Sequence, residues 1–186
     1  FIAGEISDVE FMRSDIAMWK EIRTPIHRDE LFRMYSGISL MPGARELVAH
    51  LQEHGVYVAI VSAGVDIFVS SIAALLKVDD WIANGFEFDD EDYLSDHGIC
   101  RLHASGKGDI IQRIIEMHGF ESKNVLSVGD SEMDLSMMIE GSHFIGFNPS
   151  RESSIQAFEE SNVPIIYDKD LMKILEYIEL PSSEGN

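Results

Sequence analysis

The spacing of apolar residues changes once along the chain. Up to residue 38 they recur at helical intervals: Phe11, Met12, Ala17, Met18 and Trp19, then Leu31, Phe32, Met34 and Tyr35. That pattern predicts two helices divided at Thr24-Pro25, with Pro25 in the first turn of the second. From residue 40 short apolar runs alternate with amphipathic stretches. Pro42-Gly43 opens a helix striped by Leu47, Val48 and Leu51 and closed at Gly55. Val56–Val61 is apolar on both faces, as a strand buried in a parallel sheet should be. Helix Asp66–Lys77 and strand Ile82–Phe88 come next, and the acidic run Asp89–Asp92 then turns a hairpin or flap back through Ile99–Leu102. Helix 108–118 carries Ile110, Ile111, Ile114 and Ile115 on one stripe. Strands Val125–Val128, His143–Phe147 and Val163–Tyr167 follow, alternating with helices Glu132–Ile139, Glu152–Glu160 and Asp170–Ile178. Alternation of this kind predicts an α/β fold, a parallel sheet with helices on both faces. Residues 1–38 are expected to form a small helical cap, 39–180 the α/β core, and 181–186 a disordered tail.

Charge and composition narrow the partners. The 186 residues include 33 acidic against 14 basic side chains, a formal net charge of −19. Nucleic acid and anionic membranes are therefore excluded as main partners, since phosphates would be repelled over most of the surface. An acidic protein that handles phosphate needs locally concentrated positive charge, most simply a divalent cation. Cys100 is the single cysteine, which excludes an internal disulfide and a multi-cysteine zinc site. No apolar run approaches the roughly 18 residues of a membrane span, no signal-peptide pattern is present, and the chain reads as cytoplasmic. The spacing of the seven histidines suggests no ligand set; His50 and His54, four apart on a helix, are expected at the surface.

Candidate chemistry sits where strands end, because a sheet of this kind binds ligands beyond the carboxyl ends of its strands. Ser62-Ala63-Gly64 follows the first strand and precedes a helix, so a hydroxyl, free N–H groups and a helix N-terminus converge in a phosphate cradle. Taken alone, the same triplet also reads as a plain helix cap. Gly129-Asp130-Ser131-Glu132-Met133-Asp134 follows a later strand. Two aspartates four apart, one at a strand end and one in the first helical turn, offer hard oxygen ligands suited to Mg²⁺. Helix capping by Asp130 or Ser131, with Asp134 a solvated charge, is the alternative. Lys107 stands ahead of the helix 108–118, where an ammonium can neutralise a phosphoryl group or a carboxylate, or simply be solvated.

In this order and at these strand ends, the three pieces resemble the haloacid dehalogenase (HAD) superfamily of aspartate-nucleophile phosphatases. Val61-Ser62-Ala63-Gly64 matches the family's second motif, Lys107 its third, and Gly129, Asp130 and Asp134 its fourth. Val-Ser-Ala-Gly-Val-Asp-Ile, Ser-Gly-Lys-Gly-Asp-Ile-Ile and a helical cap ahead of motif two are similar to the phosphoserine phosphatase-like branch. The resemblance implies a Rossmann-like sheet with a helical cap and a Mg²⁺-dependent phosphomonoesterase working through an aspartyl-phosphate. It also implies roles. Ser62, with the backbone of Ala63 and Gly64, would bind phosphoryl oxygens. Lys107 would hold nucleophile and phosphate together, and Asp130 and Asp134 would organise Mg²⁺.

Three departures qualify what is carried over. The family's first motif, Asp-x-Asp-x-Thr or Val, is missing from these residues; Asp168-Lys169-Asp170 is the near match, and it reads as helix capping. The strand bearing the nucleophile is expected upstream of Phe1, and residues 1–186 alone are expected to be inactive. Met133 stands where phosphoserine phosphatases have Asn. Asp15 stands where their cap carries the arginine that binds the substrate carboxylate, with Arg13 two residues off and on another helix face. A small phosphomonoester is therefore the expected substrate, with phosphoserine disfavoured by Asp15, while Trp19 and Met18 are expected to pack on the core. A HAD-type phosphotransferase or mutase, and a non-catalytic degenerate HAD domain, are the competing expectations.

Overall fold

The computed structural model describes residues 6–35 and 37–180; the expected disordered tail, 181–186, lies outside them. In chain order the elements are α1 (Asp8–Ile22), α2 (Arg28–Met34), α3 (Ala44–Glu53), β1 (Ala59–Val65), α4 (Asp66–Leu76), β2 (Asp80–Phe88) and β3 (Leu94–Ile99), followed by α5 (Lys107–His118), β4 (Leu126–Gly129), β5 (His143–Phe147), α6 (Glu152–Glu160) and β6 (Ile165–Ile166). Three 3-10 segments, Ser122–Asn124, Glu132–Met137 and Leu171–Tyr177, complete the elements of the described residues. Contacts divide it into two compact units, residues 1–39 with 59–103, and 40–58 with 104–186.

In the first unit, β2 lies between β1, its parallel neighbour, and β3, its antiparallel one. The acidic turn closes the β2–β3 hairpin as expected: the Asp89 carboxylate accepts the N–H groups of Glu91 (3.0 Å) and Tyr93 (2.8 Å). Helix α1 starts at a capping box in which Ser7 and Glu10 satisfy each other's backbone N–H groups. Pro25 is not in the first turn of α2. That helix begins at Arg28 because the His27 ring nitrogen caps it, accepting the Asp29 N–H at 3.2 Å. Ile16, Ile26, Leu31, Phe86 and Leu94 form the core between helices and sheet, each side chain contributing about 1.5–3 kcal/mol by burial. Trp19 packs edge-on against Phe86 with ring centroids 5.4 Å apart. Met18, expected beside it, is instead exposed.

In the second unit β4, β5 and β6 run parallel, with β5 central and buried from Phe144 to Phe147. Leu47 of α3 packs with Ile145, Phe147, Ile166 and Ile174. His50 and His54 are half-buried, not surface groups, with their rings 4.4 Å apart and the His50 carbonyl 2.8 Å from His54 Nδ1.

Two differences from the sequence expectation have physical causes. The single parallel sheet is found as two three-stranded sheets, one of them with an antiparallel edge. In addition, β1 starts at Ala59, three residues later than its apolar run, and extends through Ser62-Ala63-Gly64 to Val65. Both β1 and β4 pair on one side only among the described residues. Their residues are accordingly mostly half-buried, whereas β2 and β5, flanked on both sides, carry the buried runs.

Candidate active site

The carboxyl end of β1 is shaped by a bulge. Ser62 lies opposite Ala83 and Val65 opposite Asn84, so Ala63 and Gly64 are surplus to the ladder. Extra residues of this kind bend a strand and re-aim its side chains. Here the Ser62 hydroxyl oxygen accepts the Gly64 N–H at 3.1 Å. The Ser62 proton has no protein acceptor among the described residues, and it remains available for an oxygen approaching the loop. Asp66 opens α4 directly behind it, so the helix N-terminus adds its partial positive charge at this strand end.

The second unit gathers the other three sequence-predicted residues. Lys107 is the first residue of α5 and 9% exposed. Its ammonium donates to Asp134 Oδ1 at 2.5 Å. The other oxygen of Asp134 accepts from the N–H of Asp130 (3.1 Å), the N–H of Ser131 (3.1 Å) and the Ser131 hydroxyl (3.0 Å). One oxygen of this carboxylate is thereby crowded by three donors, while Oδ1 accepts from the ammonium. The side chains of this pair retain only 11% and 9% of their exposure, so each charge leans on the other in a poorly screened site. The capping arrangement explains why Glu132–Met137 winds as a 3-10 turn and not as the expected α-helix: Asp134 N–H bonds Ser131 O (2.9 Å) and Met138 N–H bonds Leu135 O (3.0 Å), both three residues back. Gly129 is required for the same reason, because a Cβ there would fall on the Asp134 side chain.

Asp130 is different. It is exposed at the end of β4, and its carboxylate makes no hydrogen bond or ion pair among the described residues. One open carboxylate at a strand end fits Mg²⁺, which keeps water and substrate phosphate as most of its ligands. Among the described residues no three His, Cys, Asp or Glu side chains gather into a protein cage. Ser62, Ala63 and Gly64 belong to the other unit.

Sequence reasoning missed Glu132. Its carboxylate accepts from the hydroxyls of Ser154 and, at 3.2 Å, Ser153, at the first turn of α6. The Ser154 hydroxyl beside it, the first of several hydrogen bonds, holds its carboxyl below the usual glutamate range. Ser154 is 1% exposed, so this contact anchors the turn that carries Asp130 and Asp134. The signal in the sequence was a pair of serines, Ser153 and Ser154, in the first turn of α6.

Elsewhere, Arg13 turns to the exposed His97 ring at 3.4 Å, while Asp15 is half-buried and burial pushes its carboxyl up. Asp168 does act as a turn residue, accepting the Asp170 N–H at 2.9 Å. No helix among the described residues is long and apolar enough to cross a membrane.

The sequence profile of the haloacid dehalogenase-like hydrolases matches residues 2–138. A phosphoserine phosphatase of Methanocaldococcus jannaschii is 28% identical over 94% of this chain and 79% of its own length. One from Archaeoglobus fulgidus is 31% identical over 78% of this chain, which spans only 41% of that protein. Among solved structures, a phospho-aspartyl intermediate analogue of phosphoserine phosphatase is 25% identical, with a TM-score of 0.79, covering 95% of this chain and 80% of its own. The chain belongs to the haloacid dehalogenase-like hydrolases and, within them, is similar to phosphoserine phosphatases.

Proposed function

We propose that the protein hydrolyses a small phosphomonoester with Mg²⁺, through an aspartyl-phosphate. The observation that carries this reading is the buried Lys107–Asp134 pair beside the open carboxylate of Asp130. It is an ammonium held rigidly at a strand end next to a free hard-oxygen donor.

Phosphoryl transfer depends more on positioning and charge neutralisation than on covalent chemistry by the enzyme. In this reading, Lys107 keeps one proton on Asp134 and aims the others at the phosphoryl oxygens. Asp134, bonded through both its oxygens, orients Lys107 and the Asp130–Ser131 backbone. The sequence expectation of two metal ligands is thereby narrowed: Asp130 would hold Mg²⁺ directly and Asp134 would act behind it. The bound cation would neutralise phosphate charge. Ser62 donates its free proton to a phosphoryl oxygen, supported by the backbone of Ala63 and Gly64. No Asp-x-Asp-x-Thr or Val motif stands among the 186 residues, and none of them is assigned as the attacking carboxylate. A parallel strand could add at the open edge of β1 or of β4.

For the substrate, Asp15 argues against a carboxylate on the far side of the ester, because its own charge would repel one. The test is p-nitrophenyl phosphate hydrolysis by the gene-encoded protein with Mg²⁺ and with EDTA, followed by phosphoserine and phosphoethanolamine. Mg²⁺-dependent release with phosphoethanolamine preferred supports the reading. Isomerisation of a sugar phosphate without net phosphate release would make the protein a mutase, and inactivity with every ester would refute the phosphatase.

A further inference from the structure

The bulge at the end of β1 leaves a debt that the ladder cannot settle: the carbonyl of Ala63 has no cross-strand partner. It is met by Asn84, a residue of the neighbouring strand that is only 3% exposed. The Asn84 amide nitrogen donates to Ala63 O at 3.2 Å and to Leu102 O at 3.0 Å. Its oxygen accepts the N–H groups of Arg101 (2.8 Å) and Leu102 (3.0 Å). Both ends of the carboxamide are thus occupied, and a flipped amide would set donors against donors and oxygen against oxygen. A buried polar group satisfied this fully is rigid.

The same stretch also holds the far end of the loop. The Arg101 guanidinium donates to Ala83 O, across the ladder from Ser62, at 2.9 Å, and to the Asp66 carboxylate at 2.8 Å. Gly85 keeps the space clear, since a Cβ there would lie 2.7 Å from Arg101 Nη1. Residues 63 and 66 are therefore both tied to residues 101–102, one through Asn84 and the other through Arg101.

We propose that Asn84 is the positioning residue of the phosphate-binding loop: by bonding the orphaned Ala63 carbonyl it fixes the bulge in which Gly64 N–H meets Ser62 Oγ and the Ser62 proton is left for a ligand oxygen. The assignment rests on the phosphate-binding role given above to Ser62–Gly64. A polar core residue with no influence on the loop is the alternative to be separated.

The test uses the full-length protein and three variants. Asn84→Asp keeps the shape and both acceptor bonds but replaces the donor to Ala63 O and Leu102 O with an oxygen. Asn84→Ala removes the carboxamide altogether. Ile145→Val, in the β5 core, supplies a destabilised control with an untouched loop. Hydrogen exchange is read at residues 62–65, together with KM and kcat for p-nitrophenyl phosphate and inhibition by inorganic phosphate. Both Asn84 variants are expected to lose protection at 62–65 selectively and to raise KM and the phosphate inhibition constant roughly tenfold, the worth of one strong hydrogen bond, with kcat changed less. Ile145→Val is expected to lower Tm with neither change. Unchanged protection at 62–65 in Asn84→Asp, or equal effects in Ile145→Val, would overturn the proposal. A wild-type protein that releases no phosphate would sink the phosphatase reading, while the exchange measurement would still decide whether Asn84 holds the loop.

Discussion

If Lys107 and Asp134 act as one unit, their substitutions should not be additive. Asp134→Ala removes the partner of an ammonium only 11% exposed and orphans three donors, the N–H groups of Asp130 and Ser131 and the Ser131 hydroxyl. Breaking a buried pair from one side costs about 3–5 kcal/mol, and the three lost bonds place this case in the upper part of that range. Lys107→Met leaves a buried carboxylate that still accepts three hydrogen bonds, so its cost should be smaller, about 1–3 kcal/mol. In the double variant the ammonium is no longer stranded, and the total should fall short of the sum by about 1.5–3 kcal/mol. Urea unfolding of the four proteins, with slopes compared to confirm a common transition, measures the coupling. Additivity within about 0.5 kcal/mol would refute the reasoning, because it would mean the two charges are each satisfied without the other.

Other outcomes follow from the same geometry. Ser62→Ala removes a donor to a charged oxygen and should lower kcat/KM for p-nitrophenyl phosphate by roughly 10- to 100-fold with little change in Tm; an unaltered kcat/KM would remove Ser62 from the phosphate site. Glu132 has its folded pKa depressed by Ser154, so the stability it confers is fully present above the ordinary glutamate value and lost as pH falls through the folded one. The stability difference between wild type and Ser154→Ala should therefore be full at neutral pH and shrink below about pH 4. A difference that does not vary with pH would show that the contact is not charge-assisted.

How much of this could be read from the sequence varied with the kind of signal. Helices α5 and α6 and strand β5 lie within a residue of where periodicity put them, because their apolar stripes face a core in the ordinary way. Strand β1 was misplaced because Val56–Val61 looks like a buried strand, yet its pairing with β2 begins at Ala59 and carries it through the polar loop. Glu132–Met137 was read as an α-helix because composition cannot reveal that Asp134 turns back on Asp130 and Ser131. The types of residue at the candidate site were legible from their spacing behind strands. The inequality between the two aspartates, one bonded through both oxygens and one open, arises from contacts with Lys107 and backbone N–H groups that no spacing encodes. Asn84 and Ser154 were hidden for the same reason: each is a common polar residue whose importance lies in what folding places against it.

The division of labour between the two aspartates is tested most directly by a Mg²⁺ titration of phosphate release, comparing wild type with Asp130→Asn. Wild type should be silenced by EDTA and restored by Mg²⁺, whereas Asp130→Asn should require at least roughly tenfold more Mg²⁺, or fail to recover at any concentration. An Asp130→Asn protein with the wild-type Mg²⁺ dependence, or wild-type hydrolysis indifferent to EDTA, would contradict the account.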